Sequence, residues 1–244
     1  MRFVIGDIHG ELSKLKKLIE HIGRTDANPT LIFIGDYLDK GESPRLTLEF
    51  LVNLSHRHNC TFLVGNHEYI WLNLEYDFEK YQQYLLKYGG TNTMISFGSS
   101  SLKETRTKML SEFGDFFTNL KSYWKNSEFI VVHSGIAPED YDKCLDELQQ
   151  TDFLFNRYEF IKKQGLFQCK YKVIFGHTGF YQPYVDPYKI GIDTAACFLE
   201  SQPLSAICLD NMHFYNSNHE TYTVDSKKFD FCPMIPRTKP WRAI

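Results

Sequence analysis

The chain has 244 residues, of which 43% are hydrophobic and 16% aromatic, so it is long and apolar enough to fold around a sizeable core. Its formal net charge is −3, which supplies no global positive field and no support for binding to nucleic acid or to an anionic membrane. Residues 1–224 contain no stretch with the composition of a linker. We therefore predict one domain over 1–224 and a Pro-rich tail over 225–244.

The cysteines and the first residues of the chain indicate the cellular compartment in which the protein is expected. None of the six cysteines forms a Cys-x-x-Cys pair, and several lie in apolar runs, as Cys208 does, which is typical of reduced, buried thiols. The first predicted strand begins at residue 2, and Asp7 interrupts any signal-peptide core. No apolar run is long enough to span a bilayer. We expect a cytoplasmic protein.

The first 64 residues alternate between short apolar runs and helical patterns. Strands are predicted at Arg2–Ile5, Leu31–Ile34 and Thr61–Val64, with helices between them at Glu11–Ile22 and Arg45–Leu54. Strands that alternate with helices in this way predict a parallel sheet whose faces are covered by helices.

Residues 66–125 predict mostly helix, with a break at 88–91 and a high density of tyrosines. We favour a helical insert that packs on the sheet, with a cap over the site as the alternative. Residues 145–161 predict helix or loop. Further strands are predicted at Phe129–Val132 and Val173–Phe175, followed by a run of short antiparallel strands from Ile190 to Val224.

Five short blocks combine Asp, Asn or His with glycine, and each directly follows an apolar run. They are Gly-Asp-Ile-His-Gly at 6–10, Gly-Asp-Tyr-Leu-Asp-Lys-Gly at 35–41, Gly-Asn-His-Glu at 65–68, Val-His-Ser-Gly at 132–135 and Gly-His-Thr at 176–178. Proteins of the α/β class present ligands in turns that follow strands, at one edge of a sheet. Five such turns in one chain predict a metal site built from strand ends, and with it hydrolytic chemistry.

The spacing of the blocks suits two metal ions. Asp7 and His9 are two positions apart on an extended segment, so both can reach one ion. Asp36 follows about 30 residues later, the length of one β-α-β unit, and its two oxygens can bridge two cations. The set is completed by an amide oxygen and two imidazoles, from Asn66, His133 and His177. Oxygen and nitrogen ligands without thiolate favour Mn²⁺, Fe or Zn²⁺ over a structural zinc site.

His67 and Asp39 suit a role in proton transfer. His67 directly follows Asn66, so its side chain is expected to point in a different direction from that ligand, and Asp39 lies three residues after Asp36. A carboxylate that holds one imidazole nitrogen fixes the tautomer and favours the protonated ring. Beside metal ions, such an imidazole can protonate a departing alkoxide.

The ordered set of blocks resembles the calcineurin-like metallophosphoesterase superfamily, and within it the compact bacterial and phage-type Ser/Thr phosphoprotein phosphatases. The resemblance covers about residues 1–210 and implies an α/β fold with a two-sheet β-sandwich flanked by helices. It also implies two divalent metal ions, for which we expect Mn²⁺, with Fe or Zn²⁺ as alternatives. One ion would be held by Asp7, His9 and Asp36, and the other by Asp36, Asn66, His133 and His177.

The resemblance further implies that His67 is the general acid and Asp39 its partner. Arg157, in Phe155-Asn156-Arg157, matches a phosphate-binding arginine of the short enzymes. Lys40 stands where the protein phosphatases usually have Arg, and we expect it to contact phosphate as a point charge rather than as a planar fork. Asp193 is expected to support the site without binding metal, and Glu68 to hydrogen-bond loop backbone.

The function that the resemblance implies is that of a dinuclear-metal phosphomonoesterase of the Ser/Thr protein phosphatase type, in which metal-bound hydroxide attacks phosphorus directly. The first alternative is a bis(5′-nucleosyl)-tetraphosphatase, a hydrolase of diadenosine tetraphosphate. Glu68 and Asp39 favour the phosphatase, whereas the tyrosines at 76–88 could stack on adenine. The second alternative is a non-catalytic sandwich that binds partners. Expected substrates are a phosphorylated protein or peptide, or a phosphorylated small molecule or nucleotide.

Overall fold

Two β-sheets packed face to face form the centre of the computed structural model, which describes residues 1–225. The first sheet has six strands in the order β11-β10-β9-β1-β2-β3, with bounds β1 Arg2–Ile5, β2 Thr30–Phe33, β3 Asn59–Phe62, β9 Ser205–Cys208, β10 Phe214–Asn216 and β11 Thr221–Tyr222. The second has five strands in the order β4-β5-β6-β8-β7, with bounds β4 Tyr123–Lys125, β5 Phe129–Val132, β6 Lys172–Phe175, β7 Tyr184–Val185 and β8 Lys189–Gly191. This confirms the predicted two-sheet fold.

The N-terminal half builds the parallel part of the first sheet. Strands β1, β2 and β3 pair in parallel, and β9 pairs antiparallel with the free side of β1. Their apolar side chains, such as Val4 and Ile32, pack against Val131 and Ile174 of the second sheet. Strands β1 and β2 are largely buried and read as nearly continuous apolar runs, which is why the sequence predicts them well, whereas β3 is only partly buried.

Seven helices and three short 3-10 turns cover the outer faces of the two sheets within the described residues. The helices are α1 Leu12–Thr25, α2 Pro44–Ser55, α3 Asn66–Leu72, α4 Phe78–Lys87, α5 Gly90–Ser96, α6 Leu102–Thr118 and α7 Tyr158–Lys162. In α1 the buried residues Leu15, Leu18 and Ile22 recur at helical spacing and face the first sheet.

Helices α3 to α6 form the predicted insert, and its C-terminal part packs on the first sheet. The ring of Phe116 lies 4.9 Å from that of Phe62 on β3 and 5.4 Å from that of Tyr37. The insert therefore shares the core of the domain instead of standing apart from it. Its other end, at α4 and α5, reaches the loops that follow β2 and β3.

The second half of the chain departs from prediction in its pairing. Strands β9, β10 and β11 form the predicted antiparallel run, but β8 pairs in parallel with β6 in the other sheet. Strands β4 and β7 are not predicted, and β4 lies at the end of the stretch 66–125, which is predicted to be mostly helical. Residues 145–161 form short 3-10 turns and the start of α7.

Three other expectations have different outcomes. Cys208 is buried, but Cys144 and Cys169 are exposed, so the prediction of buried thiols is wrong for those two. Within residues 1–225 every helix is too short or too polar to cross a membrane. The predicted tail lies outside the described residues beyond Asp225.

Candidate active site

The loops that follow five strands bring the predicted metal ligands to one edge of the sandwich. Asp7 and His9 follow β1, and Asp36 follows β2. Asn66, His133 and His177 follow β3, β5 and β6. All six are buried. The backbones of His9, Asp36 and His177 are left-handed, with φ of 46°, 54° and 64°, a conformation that non-glycine residues rarely adopt outside such functional turns.

Two glycines allow the ligand loops to approach one another. A Cβ on Gly65 would lie 2.2 Å from Oδ1 of Asp36, and a Cβ on Gly176 would lie 2.1 Å from Oδ1 of Asp7. Both distances are far below van der Waals contact. Any larger residue at these positions would displace a carboxylate of the site.

The carboxylate of Asp36 lies between two groups of ligand atoms. Its Oδ2 is 3.1 Å from Nε2 of His9, and its Oδ1 is 3.5 Å from Nε2 of His133. Ligand atoms of Asp36, His133 and His177 all lie within 4.8 Å of one another, and so do those of Asp36, His9 and His67. This is the position that a bridging ligand between two cations would occupy.

Hydrogen bonds to backbone carbonyls fix the tautomers of two imidazoles. Nδ1 of His9 donates to the carbonyl of Leu38 at 2.8 Å, and Nδ1 of His133 donates to that of Ile34 at 2.9 Å. Nε2 of each ring therefore carries a lone pair directed into the site. Burial, together with the Lys40 charge, lowers the pKa of His9 to about 4, and burial lowers the pKa of His133. Both rings are neutral at pH 7, as a metal ligand must be.

The donor set fits divalent cations. Nε2 of His133 and Oδ1 of Asn66 are both acceptors, yet they lie 2.9 Å apart. Two ligands bonded to one ion at about 2.1 Å and at right angles stand about 3 Å apart. A cation bound to both atoms would remove the repulsion between them. The same holds for the contact between Nε2 of His9 and Oδ2 of Asp36.

Three buried carboxylates concentrate negative charge here. Burial and the charges of Asp193 and Asp36 raise the pKa of Asp7 well above its ordinary value, and burial also raises that of Asp193. The backbone N–H of His177 donates to the Asp7 carboxylate at 3.0 Å. The charges of Lys40 and Arg157 offset part of this negative charge, and bound cations would offset more of it.

His67 and Asp39 form a buried pair beside the ligands. Nδ1 of His67 lies 2.5 Å from Oδ2 of Asp39, and the His67 ring meets the His9 ring edge to face at 4.8 Å between centroids. The other oxygen of Asp39 accepts hydrogen bonds from Trp71 Nε1 and Thr93 Oγ1, at 2.9 and 2.6 Å. The predicted partners therefore lie in hydrogen-bonding contact.

The two predicted phosphate-binding cations lie at different places around the site. Arg157 donates from Nη1 to the carbonyl of His177 at 2.9 Å, which holds the guanidinium beside the ligand loop. Nζ of Lys40 lies 2.6 Å from Nε2 of His9 and 4.8 Å from the centroid of the Phe198 ring. Both cations are therefore close to the ligands, but Lys40 contacts a ligand atom directly.

Glu68 organises the loop after β2, as expected. Its carboxylate accepts hydrogen bonds from the backbone N–H groups of Asp36, Tyr37, Leu38 and Gly65, at 2.8 to 3.2 Å. Sequence reasoning missed Trp71, Tyr84 and Thr93, which come from the insert. Tyr84 accepts a hydrogen bond from Nδ2 of Asn66 at 2.7 Å. The density of tyrosines in the insert was the available signal for Tyr84, while a lone threonine carries none.

The chain belongs to the calcineurin-like phosphoesterase family, whose model matches residues 3–209. It is therefore a metal-dependent phosphatase, which favours an enzyme over the non-catalytic sandwich. It is 26% identical over 220 residues to the bis(5′-nucleosyl)-tetraphosphatase PrpE [asymmetrical] of Oceanobacillus iheyensis, a match that covers 80% of this chain and 84% of that protein.

A second relative is the serine/threonine-protein phosphatase SIT4 of Candida albicans, 32% identical over 151 residues. That match covers 60% of this chain and 42% of SIT4, so the chain spans less than half of that phosphatase. Among solved structures, the cold-active protein-tyrosine phosphatase of a psychrophilic Shewanella sp. superposes with a TM-score of 0.64 at 14% identity, over 92% of this chain and 80% of that one. A likeness at this level of identity establishes the fold alone.

Proposed function

We propose that the chain is a phosphomonoesterase of the Ser/Thr protein phosphatase type, which cleaves esters whose leaving group is a poor one, an alkoxide. The observation that carries the proposal is the buried contact between His67 Nδ1 and Asp39 Oδ2. An alkoxide needs a proton as it departs, whereas a phosphate leaving group does not. A positioned acid is therefore most useful for phosphoserine and phosphothreonine.

In this proposal Asp7, His9 and Asp36 hold one divalent ion, and Asp36, Asn66, His133 and His177 hold another. When bound, two such ions lower the pKa of a water molecule and neutralise charge on the phosphate; we expect Mn²⁺, with Fe or Zn²⁺ as alternatives. Asp39 keeps the His67 ring oriented, and His67 gives a proton to the leaving oxygen. Arg157 binds the phosphate oxygens. Lys40 contributes a second positive charge once it leaves Nε2 of His9.

The second candidate is an asymmetrical dinucleoside tetraphosphatase. It is favoured by the similarity to the Oceanobacillus iheyensis enzyme, which extends over most of both chains. The rings of Tyr84 and Tyr88, 4.5 Å apart between centroids beside His67, offer a surface on which a base could stack. In that reaction the leaving group is a phosphate, so the acid would matter little.

The two functions separate in one experiment. The purified chain is supplied with Mn²⁺, and kcat/KM is compared for phosphoserine and phosphothreonine peptides, a phosphotyrosine peptide and diadenosine tetraphosphate. We expect the highest value for phosphoserine or phosphothreonine, and a large loss for these peptides in His67→Asn. If kcat/KM is highest for diadenosine tetraphosphate, and His67→Asn loses little of that activity, the second candidate function replaces the first.

A further inference from the structure

The link between α4 and α5, together with the first turn of α5, lies against the loop that carries Asp39 and Lys40. We call residues 88–93 the clamp segment and residues 39–41 the dyad loop. Gly89 has φ of 97°, and a Cβ there would lie 2.4 Å from the backbone nitrogen of Lys40. Only glycine permits this contact between backbones. The glycine pair that breaks the insert in the sequence thus lies where the insert touches the dyad loop.

Hydrogen bonds extend the contact on both sides of Gly89. Nδ2 of Asn92 donates to the carbonyl of Lys40, and it lies 3.3 Å from that of Gly41. Thr93 donates from Oγ1 to Oδ1 of Asp39 at 2.6 Å and accepts the Asp39 backbone N–H at 3.0 Å. The clamp segment therefore binds the dyad loop through its backbone and also through the Asp39 carboxylate.

The bond from Thr93 determines which way the Asp39 carboxylate faces. Asp39 and Thr93 are both fully buried, so no water competes for their hydrogen bonds. Oδ1 accepts from Thr93 and from Nε1 of Trp71, whereas Oδ2 faces Nδ1 of His67. Two donors on one oxygen hold the carboxylate against rotation about its Cβ–Cγ bond.

We propose that the clamp segment, through Thr93, is a positioning element for proton transfer: it orients Asp39, and Asp39 orients His67. The inference rests on the proposed role of His67 as general acid. Within residues 1–225 the Thr93 hydroxyl hydrogen-bonds to Asp39 alone, so we expect it to act through Asp39. Catalysis would then depend on a part of the insert, residues 88–93, that carries none of the predicted metal ligands.

The test is Thr93→Val, which removes the hydroxyl and nearly keeps the shape of the side chain. We expect kcat on a phosphoserine peptide to fall about 10- to 100-fold, the usual effect of removing such an outer hydrogen bond. On p-nitrophenyl phosphate, whose leaving group needs no proton, the fall is expected to be several-fold smaller. Bound Mn²⁺ and KM remain unchanged, and Thr93→Ser restores the ratio of the two kcat values.

The matched control is Thr105→Val, since Thr105 is also fully buried in the insert but donates to the Ser101 carbonyl at 2.8 Å. It is expected to leave the ratio unchanged. Equal losses on both substrates in Thr93→Val, or the same change of ratio in Thr105→Val, would overturn the proposal. If Thr93→Val does not fold, Trp71→Phe removes the other donor to Oδ1 and is measured in the same way.

His67→Asn separates failure of the inference from failure of the proposed function. If His67→Asn loses activity equally on both substrates, the acid role itself is wrong. If His67→Asn changes the ratio of kcat on the phosphoserine peptide to kcat on p-nitrophenyl phosphate and Thr93→Val does not, the acid role stands and only the positioning role of the clamp segment is wrong. When both are right, Thr93→Val has no further effect on the ratio in the His67→Asn background, because the two residues act in series.

Discussion

Asn66 donates from Nδ2 to the hydroxyl of Tyr84 at 2.7 Å, and its Oδ1 lies 2.9 Å from Nε2 of His133. The hydroxyl thereby determines which end of the amide faces the proposed ligands. We expect Tyr84→Phe to weaken binding of one Mn²⁺ about 10-fold or more, because the amide can then turn its nitrogen toward the site. Calorimetric titration with Mn²⁺ measures this. Tyr76→Phe, at a residue that is 90% exposed, is the control, and unchanged affinity in Tyr84→Phe would contradict the role.

Asp36→Asn tests the bridging carboxylate. The amide keeps the shape of the side chain but loses the charge and one of the two oxygens between His9 and His133. We expect loss of activity together with at least one metal ion per chain. Elemental analysis and a phosphatase assay measure the two effects, with exposed Asp115→Asn as the control. Full metal content with full activity would rule out a site that depends on two ions.

His67→Asn tests the acid by way of the leaving group. We expect both metal ions to remain, while kcat on an alkyl phosphate falls about 10²- to 10⁴-fold, the range typical of a lost general acid. The fall on p-nitrophenyl phosphate is expected to be much smaller, because p-nitrophenolate leaves without a proton. Steady-state kinetics on the two substrates gives the comparison, and equal losses would count against the acid.

Glu68→Gln tests the loop after β2 through stability rather than activity. Replacing one carboxylate oxygen by an amide nitrogen would leave two of the four backbone N–H donors facing another donor. Each buried donor without an acceptor costs about 1–3 kcal/mol, so we expect a loss of about 2–4 kcal/mol in the free energy of unfolding. Denaturant unfolding measures this, with exposed Glu139→Gln as the control. A loss below about 0.5 kcal/mol would contradict the prediction.

Local pattern predicts the parallel part of the fold because β1 and β2 are largely buried and each crossover is one amphipathic helix. Arg2–Ile5 is predicted to the residue, whereas β3 lies two residues before its predicted position. The parallel pairing of β8 with β6 is missed, since a short apolar run carries no sign of which strand it will meet.

For the candidate site, too, local sequence pattern predicts some residues and misses others. Residues in glycine-flanked turns after strands are predicted, because strand ends converge on one edge of a sheet. Trp71, Tyr84 and Thr93 escape prediction, because their contacts depend on how the insert folds back over the loop of Asp39. The left-handed backbone of Asp36 and Asp39 is also beyond local pattern, since both residues more often adopt other conformations.

The position of β1 has a consequence for synthesis of the chain. This strand precedes the loop of Asp7 and His9, yet its neighbour on one side, β9, comes from the far end of the described sequence. While the ribosome is still making the middle of the protein, β1 therefore has an unpaired edge, the kind of surface on which chains aggregate. A messenger RNA truncated before the codon for Ser205 would produce a chain without β9, in which the edge of β1 stays unpaired. We expect that product in the insoluble fraction.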